Sequence, residues 1–183
     1  MSSTPKYPAS DQAITELAPA ASDTSQPPPL ARDLMTRDVA TCHASDTLDH
    51  CARLMWDRGC GCVVVLEDGH RPVAVITDRD VCMAAYTQGR PLGEMVVGSA
   101  MSRRLFVVDE QATLDIPARL MRLHCIRRLP VVDRGGALVG LLSIADIASN
   151  APIGPTLGHD GRSSDVVAAT VAALHHSVRP PPP

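Results

Sequence analysis

Residues 47–55 read Thr-Leu-Asp-His-Cys-Ala-Arg-Leu-Met, and residues 113–121 read Thr-Leu-Asp-Ile-Pro-Ala-Arg-Leu-Met. The two stretches stand 66 positions apart, and the match extends outward in both directions without a gap. Residues 34–83 laid over 100–149 share 13 identities in 50 positions, where unrelated sequence gives about three. Beyond the opening stretch the identities include Met35 with Met101, Gly69 with Gly135, Val73 with Val139, and Asp80 with Asp146. Internal duplication accounts for the pattern, so the fold is a question about one unit of some fifty residues used twice.

Each copy carries the same signals. Leu48, Cys51, Ala52 and Met55 recur at helical spacing, as do Leu114, Ala118 and Met121, which predicts a helix of about three turns with one buried face. Pro117 falls in the first turn, where a missing N–H is tolerated. A β-rich run follows, Val63–Leu66 or Leu129–Val132, then a turn with Gly69 or Gly135-Gly136, then Val73–Ile76 or Val139–Leu142, a hairpin in each copy. A second helix is expected at Arg79–Tyr86, ending before Gly89, or from Ala145 to about Ser149. A short strand at Val39–Cys42 or Leu105–Val108 precedes the first helix. The fold class is therefore α/β (α+β): two strand-helix-strand-strand-helix repeats.

Twelve of the sixteen prolines lie outside residues 31–149. The organisation read from this is an N-terminal tail at 1–30 too polar and Pro-rich to order itself, a first repeat at 31–90, a second at 91–150, and a linker-like segment at 151–183. Within that last segment Val166, Val167, Thr170, Val171 and Leu174 share one helical face, which predicts a short amphipathic helix before the Pro180–Pro183 end.

Composition narrows the function classes. Aromatic residues are 2% of a chain that is 45% hydrophobic, so no platform exists for stacking single-stranded bases. The net charge is −3 and the basic residues are dispersed, so nothing marks a polyanion or membrane surface as partner. Unbroken apolar runs such as Cys62–Leu66 fall far short of the roughly 20 residues that span a bilayer. Six cysteines and no apolar leader read as a cytoplasmic protein with reduced thiols. No Gly-x-Ser-x-Gly, Gly-x-Gly-x-x-Gly, P-loop or metal-spaced histidine pair occurs, so the chain is not read as an enzyme. Cys60-Gly61-Cys62 lacks a second dicysteine for zinc, and the thiols fall mostly where the other copy has apolar or small residues, so they are read as small core hydrophobes.

The motifs resemble a tandem pair of cystathionine-β-synthase (CBS) domains, the arrangement called a Bateman module. The markers are Asp33-Leu34-Met35-Thr36 and Ala100-Met101-Ser102, the Thr-Leu-Asp helix starts, Arg-Leu-Pro-Val-Val-Asp at 128–133, and the closing Ile76-Thr77-Asp78-Arg79-Asp80 and Gly140-Leu141-Leu142-Ser143-Ile144-Ala145-Asp146. Such a resemblance implies a pseudo-twofold between copies with clefts between them, a homodimer, and adenosine ligands such as AMP, ADP, ATP or S-adenosylmethionine bound without chemistry. It implies no resident cofactor beyond that regulatory ligand, and an effector protein of unknown identity receiving the output.

The residues support the same chemistry. Thr77 and Ser143 end a strand, and Asp80 and Asp146 stand three positions on in the following helix. A helix N-terminus with a hydroxyl before it suits phosphate, and a carboxylate can accept from two ribose hydroxyls. The same four residues also fit a purely structural role in which the hydroxyl caps the helix and the aspartate complements its dipole. By resemblance, Arg128 contacts phosphate; Arg79, between Thr77 and Asp80, is expected to add charge, with Arg127 divided evenly between cleft and solvated surface. Base contacts are expected from the leading strands around Ala40-Thr41 and Phe106-Val107 and from Cys62, Val63, Leu129 and Pro130. Ala74, where the family has glycine as at Gly140, is expected to narrow the first cleft. A ligand-free assembly module is the alternative reading of the chain.

Overall fold

The computed structural model describes residues 28–67 and 70–150. A short helix α1 (Ala31–Leu34) leads into β1 (Thr41–His43), α2 (Leu48–Asp57), β2 (Cys62–Glu67), β3 (Arg71–Thr77) and α3 (Asp78–Gln88). The second repeat runs β4 (Val108–Asp109), α4 (Asp115–His124), β5 (Arg128–Val132), β6 (Leu138–Ser143) and α5 (Ile144–Ser149). Both repeats thus follow the expected strand-helix-strand-strand-helix order. The turn at Gly69, the C-terminal helix expected within 163–177 and nearly all of the N-terminal tail lie outside the described residues.

Each repeat forms a three-stranded sheet with its hairpin antiparallel and its leading strand parallel to the hairpin's first strand. The ladder slips by one residue at Val65/Leu66 in one sheet and at Val131/Val132 in the other, at equivalent positions. The apolar stripes of the sequence become two cores. One gathers Leu48, Cys51 and Met55 of α2 with Val63, Val65 and Ile76; the other gathers Ala118 and Met121 of α4 with Leu129, Val131 and Leu142. The linking segment, which has no periodic signal, closes the first core: Met95 and Val97 are buried, and the Met95 carbonyl accepts from the Leu48 N–H at 2.8 Å.

The segment leading into each repeat belongs, in packing, to the other one. Ala31 and Met35 sit in the second core, and Thr36 bridges Leu141 of β6 through two backbone hydrogen bonds of 2.9 Å. Reciprocally, Ala100 and Met101 pack on the first core, and Ser102 exchanges two 3.0 Å hydrogen bonds with Val75 of β3. Sequence contiguity and packing therefore disagree over these few residues, and the disagreement joins the repeats into one body.

This exchange corrects the expectation for Ala74. Ala74 is fully buried in the first core and borders neither cleft described below. Its counterpart Gly140 is small because Met35 lies on it: a Cβ there would stand 2.7 Å from Met35 Cγ and closer still to its sulfur. Replacing Gly140 by alanine is expected to cost about 1–3 kcal/mol through overpacking, and Met35→Ala in the same chain to recover most of it. Urea unfolding of the two variants checks this; equal stability of Gly140→Ala and wild type would contradict the close approach.

The two first helices end alike, with a residue in the left-handed region: Gly59 at φ 59° and its counterpart Cys125 at φ 53°. Only glycine takes this conformation without the clash of a Cβ against the backbone. A Cβ at Gly59 would meet nothing within 4 Å, so the cost there is one of backbone alone. Cys125→Gly is expected to raise stability by about 1 kcal/mol and Gly59→Ala to lower it by about 1 kcal/mol, read from the midpoints of chemical unfolding.

Candidate functional site

Two clefts open between the repeats, of about 460 Å³ and 270 Å³. The larger is bordered by Ser143 and Asp146 of the second repeat and by walls from the first, Val39, Ala40 and Cys60 among them. The smaller is bordered by Thr77 and Asp80 of the first repeat and by walls from the second, Leu105, Phe106 and Ile126 among them. These walls are the same positions 66 residues apart. Each hydroxyl–aspartate pair therefore faces walls supplied by the opposite repeat, an arrangement produced by the exchanged leading segments.

Thr77 and Ser143 have extended backbone at the end of β3 and β6 and cap α3 and α5. In both, the hydroxyl accepts from the aspartate's N–H, at 3.3 Å for Thr77 and 3.2 Å for Ser143. The same hydroxyl donates to the aspartate's Oδ2 at 2.7 Å, and the cap residue's own N–H donates to that oxygen as well. The structural role weighed from sequence is thus realised in full. It occupies only one carboxylate oxygen, because no described residue donates to Oδ1 of Asp80 or Asp146. Both aspartates are half-buried cleft residues, so a reciprocal cap of this kind positions the second oxygen for a ligand's hydroxyls.

The clefts differ in charge. In the larger one Arg58 is held 2.8 Å from Asp38, so the walls carry two cations with Arg128 and two carboxylates with Asp146. In the smaller one the counterpart of Asp38 is Arg104 and that of Gly61 is Arg127. Three arginines, 104, 127 and 128, therefore border it against the single carboxylate of Asp80, and none of them forms an ion pair within 4 Å among the described residues. Arg104 and Arg127 are exposed and salt-screened; Arg128 is half-buried and screened less.

A backbone difference adds to this. In the first sheet the Val64 N–H donates to the Ala40 carbonyl at 3.0 Å. The counterpart of Val64 is Pro130, which has no N–H, so the pairing of β4 begins only at Val108 and the Phe106 carbonyl keeps no such partner. Phe106 stacks on His124 with ring centroids 3.8 Å apart, which holds an aromatic edge at the smaller cleft. A carbonyl with no hydrogen-bond partner among the described residues, beside an aromatic and an apolar wall, suits a flat heterocycle with an exocyclic amine.

Of the residues singled out in the sequence, the smaller cleft brings together Thr77, Asp80, Cys62, Arg128 and Pro130, and the larger brings together Ser143, Asp146, Cys62 and Arg128. Five stand elsewhere. Val63 and Leu129 are fully buried in the two cores. Thr41 borders a separate hollow with Leu66 and His70, and Val107 lies outside both linings. Of the two leading-strand positions expected in each copy, Ala40 and Phe106 reach the clefts and Thr41 and Val107 do not, because moving one residue along an extended chain turns the side chain to the opposite face. Arg79 is exposed on the first turn of α3 and off both linings. Arg104 went unread, although the replacement of Asp38 by Arg104 between the copies is visible in the alignment of the repeats.

Cys42, Cys51 and Cys62 are buried and Cys60 is half-buried, whereas Cys82 and Cys125 are exposed, so the expectation of core thiols does not hold for those last two. Cys42 and Cys51 are buried with sulfurs 3.5 Å apart, and the hydrogen bond between them together with burial pushes the Cys42 thiol up. Burial also raises Cys62, against the opposing field of Arg128. Among the described residues no three His, Cys, Asp or Glu side chains gather as metal ligands, and no helix is long and apolar enough to cross a membrane.

The chain is 36% identical over 119 residues to the CBS domain-containing protein YhcV of Bacillus subtilis, covering 65% of this chain and 83% of that one. It is 32% identical over 120 residues to the uncharacterized protein MK0525 of Methanopyrus kandleri, covering 66% of this chain and 61% of that relative's length. Among solved structures, a CBS domain protein of Pyrobaculum aerophilum complexed with AMP superposes with a TM-score of 0.60 at 27% identity, over 65% of this chain and 90% of that one. The model of the CBS domain matches twice, at residues 31–86 and 97–152. With both repeats matched in register with the two halves of the structure, the chain belongs to the CBS domain family.

Proposed function

We propose that the protein is a non-catalytic regulatory module that binds an adenosine nucleotide, AMP foremost, and that the smaller cleft is its principal site. The observation that carries this reading is the convergence there of a half-free Asp80 carboxylate, three arginines and the Phe106 carbonyl, these four without an ion pair or hydrogen-bond partner among the described residues, beside an aromatic wall. Ribose, phosphate and base each find a matching group. The AMP complex of the Pyrobaculum aerophilum relative supports the same ligand class. The larger cleft, with its cations and carboxylates in balance, is the weaker site.

The hydroxyl and carboxylate that meet in each cleft are engaged in capping a helix, and the ligand acts by shifting a conformational equilibrium through its unequal affinity for two states. The cleft lies between exchanged segments, where closing on a ligand pulls the repeats together. Exposed Trp56, Tyr86 and Leu123 offer apolar surface on which a second copy or an effector protein would bind, and a cytoplasmic homodimer that passes its state to an effector protein completes the reading.

Asp80→Asn separates the two roles of the carboxylate. The amide oxygen can still accept from Thr77, so the cap and the unfolding free energy without ligand are expected to stay within about 0.5 kcal/mol of wild type. The amide nitrogen cannot accept a ribose hydroxyl, and AMP affinity measured by calorimetry is expected to fall at least about tenfold. Undiminished affinity would return Asp80 to a capping role alone.

A further inference from the structure

Cys62 and Arg128 occupy equivalent positions, the first residues of β2 and β5, and each of them borders both clefts. A pair of equivalent residues can do this only where the approximate twofold passes between the repeats, so these two side chains form the partition separating the cavities. The partition is asymmetric. Cys62 is buried and brings no charge, whereas Arg128 brings a cation. The guanidinium reaches into the first repeat: its terminal nitrogen stands 3.8 Å from where a Cβ on Gly61 would be, beside the Asp78 carboxylate. It forms no ion pair within 4 Å among the described residues.

We propose that Arg128 is a single phosphate anchor shared by the two clefts and available to one nucleotide at a time, so that nucleotides in the two clefts bind with negative coupling. The inference rests on the nucleotide reading above. A guanidinium engages one phosphate best through two parallel N–H donors, an arrangement that aims its planar fork at one cleft and away from the other. The opposite side of the partition offers no second cation, since a thiol stands where symmetry would place it. A second nucleotide therefore enters without the anchor and against the phosphate already present. The larger cleft suffers more from this, because its other arginine is already committed to Asp38.

Calorimetric titration of the full chain with AMP tests the sharing. Asp80→Asn and Asp146→Asn each leave one competent cleft, and Arg128→Gln is made in wild type and in both of these backgrounds. The expected result is that Arg128→Gln weakens AMP about tenfold in each single-cleft background. In the otherwise wild-type chain the product of the two stepwise constants also falls only about tenfold, because the doubly filled protein uses the anchor once. A fall near a hundredfold would mean that each cleft draws on Arg128 independently, and a loss in one background alone would mean that it serves one cleft; either overturns the proposal. Adenosine, which lacks the phosphate, is expected to bind wild type and Arg128→Gln alike, and a loss there would show that the substitution damages the cleft itself. Two independent AMP sites would leave the nucleotide reading standing and remove only the coupling. No binding of AMP to any of the proteins would remove both.

Discussion

Everything about the clefts depends on a few backbone hydrogen bonds that cross from one repeat to the other. Thr36 pairs with Leu141, and Ser102 with Val75, so each repeat carries on its hairpin the leading segment of its twin. Backbone pairing fixes direction and register more tightly than apolar contact does. It places Val39 and Ala40 opposite Ser143 and Asp146, and Leu105 and Phe106 opposite Thr77 and Asp80. The sites are thus properties of the pair, and a single repeat standing alone would carry half of each.

A duplicated scaffold imposes equivalent positions without imposing equivalent chemistry. The hydroxyl–aspartate caps are the same in both copies down to the pattern of hydrogen bonds. Around them three replacements change the character of the clefts: Asp38 by Arg104, Gly61 by Arg127, and Val64 by Pro130. The first two tip the charge of one cleft toward anions; the third withdraws an N–H and leaves a carbonyl for a ligand to use. The two arginines sit on a wall and leave the cores alone, and Pro130 shortens the pairing of β4 without breaking the hairpin, so the two sites could diverge at little expense to the sheets.

The cap geometry shows why a structural and a binding role need not compete. A carboxylate has two oxygens, and the helix terminus uses only one of them here. The bonds from Thr77 or Ser143 restrict the aspartate's rotation, which lowers the entropy a ligand must otherwise remove on binding. In the proposed reading the aspartate caps and binds at once, which ties the orientation of α3 and α5 to the state of the clefts.

The repeat, the order of its elements, the helix stripes and the two hydroxyl–aspartate pairs were legible in the sequence, because each depends on local periodicity or on short fixed spacings that an undivided chain displays. Side-chain parity at the leading strands was not: the pattern marks Ala40-Thr41 and Phe106-Val107 without saying which member of each pair faces a cleft, since two residues of extended chain announce no face until a partner strand sets one. Nor could the chain say which walls meet which aspartate, or that Met35 rather than a ligand occupies the space at Gly140, or that Arg79 points to solvent. Those facts arise from the exchange of leading segments between repeats. That exchange is decided by contacts between residues more than a hundred positions apart in one case, Thr36 with Leu141, where sequence pattern carries no information about pairing and only the packed structure supplies it.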